Sequence, residues 1–252
     1  MEIFEVIILG VLQGVTEFLP VSSSGHLVIA QHLLGINSPG NTLEILFHFG
    51  TLLSVIFVFF NEIESILISL HERNTQILIG YLIIATIPAV FVGIGMKDYL
   101  LSIFDNVKYV GSALLFTGCI LLLSSKFNHS QKKHSFFSSL AVGVAQALAI
   151  IPGISRSGAT ITMSIYLGIA PKEAAKFSFL LSVPVILGAS LLSIFELEKD
   201  VIIDSLTIFV AIFTSFIVGI LALKFLLKML EVGKLYFFGV YCLGAGIFAI
   251  LL

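Results

Sequence analysis

Long apolar stretches separated by short polar segments run through the chain and predict a bundle of membrane-spanning helices. Crossing the hydrocarbon core of a bilayer takes about 20 helical residues. Six stretches approach or reach that length, and Pro88 and Pro184 interrupt two of them, which predicts kinks satisfied by neighbouring helices. The six stretches cover about 43–60, 77–96, 108–125, 175–196, 205–223 and 236–252.

Two further apolar regions, residues 2–34 and 137–169, are broken near the middle by proline, glycine and serine. Neither half of either region is long enough to cross alone, and residues 2–19 carry Gln13, Thr16 and Glu17 near their end. The simplest interpretation is a re-entrant hairpin in each region, with a polar turn at membrane depth. The predicted fold class is therefore an all-α polytopic membrane protein with six full transmembrane helices and two re-entrant helix hairpins.

Charge in the loops predicts the orientation. With both hairpins returning to their own side, segments 61–76, 126–136, 170–176 and 224–235 carry nine Lys and Arg residues, and the opposite side carries three. The positive-inside rule makes the basic side cytoplasmic, so both termini are expected outside. Treating either hairpin as a full span would scramble this distribution.

Composition supports the same class. Of the 252 residues, 58% are hydrophobic and only 11% are charged, whereas soluble domains carry about 25% charged residues. Composition therefore argues against a soluble enzyme, and a net charge of −2 gives no attraction to nucleic acid. Cys119 and Cys242 lie in apolar segments, so no structural disulfide is expected. The N-terminus lacks the basic start of a secretory signal, and residues 1–252 are expected to form a single integral membrane domain.

An internal repeat links the two broken regions. A shift of 133 residues aligns them without a gap and gives nine identities in a window of 27 residues. Three spans separate the hairpins, so the halves, about 2–125 and 137–252, are expected to be inverted, with their tips meeting near the midplane. The identical positions are Gly10, Val11, Gln13, Ser22, Ser24, Gly25, Leu34, Gly35 and Ile36, matched by Gly143, Val144, Gln146, Ser155, Ser157, Gly158, Leu167, Gly168 and Ile169.

The hairpin tips carry the candidate chemistry. Serines positioned to cap two outgoing half-helices would bring two helix N-termini to one spot, which favours a bound phosphate, and Arg156 adds a planar fork for phosphate oxygens. This combination favours phosphoryl transfer, with Ser23 as nucleophile and either His26 or Glu17 as its base. Glu17 could instead hold a divalent cation. The alternatives are a purely structural Glu17–Arg156 bridge, or a secondary transporter or lipid-phosphate flippase built on inverted repeats.

These residues closely resemble the undecaprenyl-diphosphatase family of bacterial cytoplasmic membranes, the bacitracin-resistance type. The resemblance spans nearly the whole chain, and Glu44, His48 and the segment 177–184 are weaker matches. It implies hydrolysis of undecaprenyl diphosphate to undecaprenyl phosphate and phosphate, which recycles the lipid carrier for cell-wall synthesis and confers bacitracin resistance. The specific motifs are Gln13-Gly-Val-Thr-Glu17-Phe-Leu-Pro-Val-Ser-Ser-Ser-Gly-His26 and Pro152-Gly-Ile-Ser-Arg156-Ser-Gly-Ala-Thr160.

The resemblance also implies roles and partners. It implies a divalent cation, Mg²⁺ or Ca²⁺, with Glu17 as metal ligand, and a bacterial inner-membrane location with membrane lipid, and optionally a second copy, as partners. Two departures stand out: Gln13 occupies a position where many relatives carry Glu, and Cys242 one where they usually carry Arg. The implied catalytic residues are Glu17, Ser23, His26 and Arg156, and the implied substrate-binding residues are Gln13, Ser22, Ser24, Gly25, Ser155, Ser157, Gly158 and Thr160.

Overall fold

The computed structural model describes residues 2–35, 42–96, 106–124, 131–196 and 204–252. Within these ranges the secondary structure is helical apart from one isolated bridge between Lys132 and Ile169. The eleven helices described are α1 (Ile3–Phe18), α2 (Ser23–Leu34), α3 (Thr42–Val58), α4 (Phe60–Ile68), α5 (Arg73–Gly95), α6 (Val107–Ser124), α7 (Phe136–Leu148), α8 (Arg156–Tyr166), α9 (Pro171–Glu196), α10 (Ser205–Glu231) and α11 (Tyr236–Leu251).

Several of these helices are long and apolar enough to cross a membrane. In the described part of the chain, α5, α6, α9 and α10 pass on length and hydropathy, and α3 with α4 makes a fifth if the bent pair counts as one span. The sixth predicted span corresponds to α11, which is apolar but only 16 residues long. The prediction of an all-helical, multi-pass membrane protein is confirmed.

Two predicted spans have different ends in the structure. The span predicted at about 43–60 stops at Val58, and the chain bends by 71° into α4, which exposes Glu64 and buries no residue. The span predicted to end at 223 continues as α10 to Glu231. Lys224 and Lys228 alternate with leucines there, and their long apolar stems let a helix extend past the hydrocarbon edge.

Both broken regions contain two short helices separated by a non-helical tip. Tip 1, residues 19–22, joins α1 to α2, and tip 2, residues 149–155, joins α7 to α8. The four helices have 16, 12, 13 and 11 residues, which agrees with the predicted breaks. Ser22 and Ser155 are the N-caps of the two outgoing helices, and their hydroxyls accept hydrogen bonds from the Gly25 and Gly158 amides.

Packing between α6 and α11 is reciprocal. A Cβ on Gly111 would lie 2.8 Å from the Gly246 carbonyl oxygen and one on Gly246 would lie 2.8 Å from that of Gly111; Gly118 and Gly239 face each other in the same way at 2.9 and 3.0 Å. These pairs make α6 and α11 antiparallel and hold their backbones in close contact.

The outer contacts repeat the same relationship. Helix α1 packs on α10, and its repeat equivalent α7 packs on α5. Gly10 and Gly143 occupy equivalent positions in the repeat, and a Cβ on either would collide with the facing helix, at Thr214 Oγ1 or at the Ala85 carbonyl oxygen. The two halves of the chain therefore use equivalent residues for equivalent contacts.

Candidate functional site

The two tips are in direct contact. The Ser22 hydroxyl of tip 1 accepts a hydrogen bond of 3.1 Å from the Gly153 amide of tip 2. A Cβ on Gly25 would lie 3.0 Å from the Gly153 Cα, and one on Gly158 would lie 3.3 Å from the Pro20 Cβ. Each glycine thus permits the close approach of the opposite tip, as the repeat predicts.

The carboxylate of Glu17 joins the two repeats. Its Oε1 lies 2.5 Å from Nη2 of Arg156, and its Oε2 accepts hydrogen bonds from Ser23 Oγ at 2.7 Å and Gln13 Nε2 at 3.0 Å. The Nδ1 atom of His48 lies 3.5 Å from the same Oε2. Glu17 is buried, so these partners compensate a carboxylate that would otherwise be unfavourable at membrane depth.

Ser23 and Arg156 hold equivalent positions in the repeat, one residue after the capping serine of each outgoing helix. Each is therefore the first residue of a helix whose N-terminal amides point toward the tips. The equivalent backbone positions thus place two different functional groups, a hydroxyl and a guanidinium, beside the carboxylate of Glu17.

A cavity of about 310 Å³ opens at this point. It extends from the tips along the first turns of α3 and the later part of α9, where apolar residues such as Ile45 and Ile186 form part of the wall. Its polar wall is formed by Thr16, Glu17, Ser22, Ser23, Ser24, Glu44, His48, Ser155, Arg156 and Ser190.

The electrostatic character of this cavity suits an anion beside a carboxylate. The first turns of α2 and α8 offer amides that have no partner within their helix, and the helix dipoles add partial positive charge. Arg156 Nη1 is buried and makes no hydrogen bond to any described residue, so one donor of the guanidinium remains available to a ligand. Such an arrangement of donors is typical of phosphate sites.

His26 lies outside this cavity. Its Nδ1 is 2.8 Å from the Ser22 carbonyl oxygen, and its Nε2 is 2.8 Å from the Tyr241 hydroxyl of α11. The two rings also stack, with centroids 5.6 Å apart. The structure therefore does not bring His26 together with Glu17, Ser23 and Arg156 on the cavity wall.

The remaining predicted residues divide in the same way. Ser24 and Ser155 line the cavity. Ser157, Gly158 and Thr160 do not line it: Ser157 contacts Ser155 Oγ at 3.2 Å, and Thr160 donates to the Arg156 carbonyl at 2.8 Å and contacts Ser178. These three residues therefore support the structure around tip 2 without lining the cavity.

Comparison with known proteins places the chain in a family. A family profile described as "Bacitracin resistance protein BacA" matches residues 6–248. The chain belongs to the BacA family. Proteins named undecaprenyl-diphosphatase from Halothermothrix orenii and Desulforapulum autotrophicum are 42% and 40% identical to it, each alignment covering 100% of this chain and 98% of the relative. A Bacillus anthracis protein named undecaprenyl-diphosphatase 3 is 39% identical, over 99% of this chain and 97% of its own length. The resemblance inferred from the motifs is confirmed.

Three further residues of this BacA-family chain matter to the site although their sequence context carries little or no signal. Thr117 of α6 donates to the Gly153 carbonyl at 2.9 Å and accepts from the Ser155 amide at 3.2 Å, so it fixes tip 2. His48 Nδ1 accepts a hydrogen bond from Gln13 Nε2 at 3.1 Å, because an amide nitrogen can only donate. The other hydrogen of that amide goes to the Glu17 carboxylate. Glu44, four residues before His48, lines the cavity beside it, and the sequence marks both residues only as weaker matches to the family.

The two departures from the family pattern lie in different surroundings. Gln13 is fully buried behind Glu17, and its Oε1 has no hydrogen-bond partner among the described residues. Cys242 is also fully buried, with its Sγ 3.6 Å from the Pro20 carbonyl oxygen, and it does not line the cavity. Arg156 is therefore the arginine on the wall of this cavity.

The cavity wall could contribute to a divalent cation site. Among the described residues, no three His, Cys, Asp or Glu side chains are arranged to hold a metal ion by themselves. Oxygen donors are present, however: Glu17 and Glu44 line the cavity, and Gln13 Oε1 lies unpaired behind it. Hard cations such as Mg²⁺ often take one or two protein carboxylates and complete their shell with substrate phosphates and water, and this donor set fits that mode.

Proposed function

We propose that the chain hydrolyses undecaprenyl diphosphate to undecaprenyl phosphate and phosphate, and so recycles the lipid carrier for cell-wall synthesis. The observation that carries the proposal is the Ser23–Glu17–Arg156 contact, in which one buried carboxylate accepts from a hydroxyl and pairs with a guanidinium. The names of the Halothermothrix orenii and Desulforapulum autotrophicum relatives supply the substrate. Bacitracin resistance follows from the same activity in a family described by that resistance.

In the proposed reaction, Ser23 attacks the terminal phosphorus and Glu17 accepts the hydroxyl proton. The new bond joins Ser23 Oγ to phosphorus, the bridging P–O bond breaks, and undecaprenyl phosphate leaves. Water then attacks the phosphoserine, its proton passes to the released phosphate, and protonated Glu17 returns a proton to Ser23. The 2.7 Å hydrogen bond from Ser23 Oγ to Glu17 Oε2 favours Glu17 over His26 as the base.

Arg156 and the helix amides hold the phosphate oxygens. The free Nη1 of Arg156 and the first-turn amides of α2 and α8 would contact non-bridging oxygens, where charge accumulates during transfer. We propose that Ser22, Ser24, Gly25 and Ser155 bind substrate or bring backbone close to it. The residues that support this surface without lining the cavity are Gln13, Ser157, Gly158 and Thr160.

A divalent cation, Mg²⁺ or Ca²⁺, is proposed as the cofactor. Glu17 and Glu44 would hold it together with phosphate oxygens, and it would neutralise charge on the diphosphate. Glu17 Oε1 pairs with Arg156 and Oε2 accepts from Ser23 and Gln13, so Glu44 is the cavity-lining carboxylate that these groups leave for such an ion.

We further propose six membrane crossings and two re-entrant hairpins in an inverted repeat, within one domain covering residues 1–252. The antiparallel α6–α11 contact and the equivalent α1–α10 and α7–α5 contacts support the inversion. The basic loops would face the cytoplasm of the bacterial inner membrane, with both termini outside. The cavity reaches toward the start of α3 and the later part of α9, which supports an outward opening. Membrane lipid, and optionally a second copy, would be its neighbours.

Phosphate release by the purified protein in detergent, with undecaprenyl diphosphate and Mg²⁺, tests the function. We expect Ser23→Ala and Arg156→Ala to lower kcat by at least about 1,000-fold, because one removes the nucleophile and the other the phosphate clamp. Ser112→Ala is the matched control, since Ser112 is exposed on α6 and, among the described residues, its hydroxyl bonds only the Lys108 carbonyl. Full turnover in both site variants would refute the proposed site.

The same assay addresses the transporter or flippase alternative. A transporter needs a sealed membrane to show activity, whereas a phosphatase releases phosphate in detergent. The alternative rests on the inverted repeat alone, and the Ser23–Glu17 hydrogen bond gives it no support. Absence of phosphate release by the wild-type protein, with movement of lipid phosphate across vesicles, would favour it instead.

A further inference from the structure

Both ring nitrogens of His26, which does not line the cavity, have a hydrogen-bonding partner. The Ser22 carbonyl oxygen can only accept a hydrogen bond, so the contact of 2.8 Å places the ring hydrogen on Nδ1. In the neutral ring Nε2 then carries a lone pair, and the Tyr241 hydroxyl at 2.8 Å is the donor to it. The stacked rings, inclined by only 10°, hold this geometry.

The carbonyl that His26 engages belongs to an unusual residue. Ser22 has φ of 71°, and it is the one non-glycine residue with positive φ in the described part of the chain. Positive φ is unfavourable for an L-residue with a side chain, so the surrounding contacts must maintain it. The Ser22 hydroxyl accepts from Gly153 of tip 2, and its carbonyl accepts from both the backbone amide and Nδ1 of His26.

We infer that Tyr241 is a positioning residue that acts through His26. Its hydroxyl bonds Nε2 and holds the orientation of the imidazole, the imidazole holds Ser22 in its positive-φ conformation through Nδ1–H, and Ser22 keeps the adjacent Ser23 directed at Glu17. A single chain of hydrogen bonds, Tyr241–His26–Ser22–Gly153, thus runs from α11 through tip 1 to tip 2. The inference rests on the proposed function, and it assigns His26 a supporting role where the sequence predicted an acid or base.

Tyr241→Phe tests the chain, because phenylalanine keeps the ring stacking and removes only the hydroxyl. We expect kcat to fall about tenfold, roughly the free energy of one hydrogen bond, with KM within about twofold of the wild-type value. Tyr236→Phe on the same helix is the matched control, since its ring stacks on Phe237 and its hydroxyl bonds no described residue. In ¹⁵N-histidine spectra, the Nε2 signal of His26 is expected to shift in Tyr241→Phe only, because that nitrogen loses its hydrogen-bond donor.

Two His26 variants separate positioning from catalysis. The side-chain amide of His26→Asn can replace Nδ1–H as donor to the Ser22 carbonyl, whereas His26→Ala cannot. We expect His26→Asn to recover at least about tenfold in kcat over His26→Ala, and Tyr241→Phe to add no further loss in the His26→Asn background. Thermal unfolding of each variant shows whether it is folded, and should Tyr241→Phe unfold, the two His26 variants decide alone.

Three outcomes would overturn the inference: wild-type kcat in Tyr241→Phe, equal activity of His26→Asn and His26→Ala, or an unchanged His26 Nε2 signal in Tyr241→Phe. These outcomes are distinguishable from failure of the proposed function. Phosphate release by the wild-type protein and its loss in Ser23→Ala establish that function whatever the Tyr241 and His26 variants show.

Discussion

At the scale of single residues, the site is arranged around the carboxylate of Glu17. Burying a charge at membrane depth is unfavourable by roughly 2.5–3.5 kcal/mol even on insertion scales, and one ion pair alone could offset it. A structural bridge, however, does not require a serine hydroxyl on the same carboxylate, which is what Ser23 provides at 2.7 Å. The residue-level contacts therefore favour chemistry over a purely structural pair.

Glu17, Ser23 and Arg156 are predictable from the sequence, because polar and charged residues within apolar half-helices are costly and most often mark a functional site. The structure brings all three together. The sequence also predicts His26 in the same site, since Ser23 and His26 are three residues apart on a helix. That spacing places them on neighbouring parts of the helix surface, yet Tyr241 of α11 turns the imidazole away from the cavity. A contact 215 residues distant along the chain is not encoded in local spacing.

A second histidine gives a pH-dependent prediction. His134 precedes α7, and although its segment reads as a solvated loop, its ring stacks on Phe177 with centroids 3.9 Å apart. Neither ring nitrogen has a hydrogen-bond partner among the described residues, and burial lowers the pKa of His134 from 6.5 to about 4. Folding therefore favours the neutral ring.

The sign of this effect follows from linkage. Between pH 6.5 and 4 the unfolded chain binds the proton that the folded chain excludes, so the His134 contribution to stability is complete above pH 6.5 and is lost toward pH 4. We expect the thermal midpoint of the wild type to fall more steeply over this range than that of His134→Phe, which keeps the stacking and cannot titrate. Circular dichroism in detergent measures both midpoints, and parallel curves would contradict the prediction.

At the scale of helices, close backbone contact determines the central architecture. Small residues let membrane helices approach, and the glycines of α6 and α11 face each other in reciprocal pairs. Each of those glycines is recognisable in the sequence as a glycine in an apolar span. Which helix it faces is not, because lipid and a partner helix are equally apolar environments for the positions around it.

Two glycines of α11 offer a matched test of this contact. Gly246→Leu should destabilise the protein by roughly 1–3 kcal/mol or more, because its Cβ would lie 2.8 Å from the Gly111 carbonyl oxygen. Gly244→Leu, two residues earlier, should be nearly neutral, since a Cβ there meets no atom within 4 Å. Thermal unfolding in detergent compares them, and equal midpoints would show that α6 and α11 do not pack through this face.

At the scale of the whole molecule, the repeat is symmetric in backbone and asymmetric in chemistry. Gln13 and Gln146 are equivalent, yet Gln13 donates to Glu17 and His48 whereas Gln146 donates to the Ala85 carbonyl. Glu17 itself corresponds to Ile150 in the second repeat. The carboxylate therefore exists in one half only, and the second half contributes the guanidinium.

Orientation in the membrane is also a property of the whole molecule, and cysteine labelling tests it. In a Cys119→Ser background, which removes the exposed native thiol, a membrane-impermeant maleimide should modify Glu2→Cys in intact cells. Lys133→Cys should react only after the membrane is permeabilised, because the basic loops are predicted to be cytoplasmic. Both positions are exposed in the structure. Strong labelling of Lys133→Cys in intact cells would invert the proposed orientation.

The helical membrane class, the two broken regions, the repeat and the residues most able to carry phosphoryl transfer all follow from the order of amino acids alone. Each of these is a local property, since hydropathy, capping and polar residues in apolar segments act within a few helical turns. Three-dimensional packing instead determines which of those residues share a cavity, that α3 bends into α4, and that His26 pairs with Tyr241. These outcomes depend on contacts between distant segments of the chain, and no local sequence pattern specifies which side chains of two distant helices come into contact.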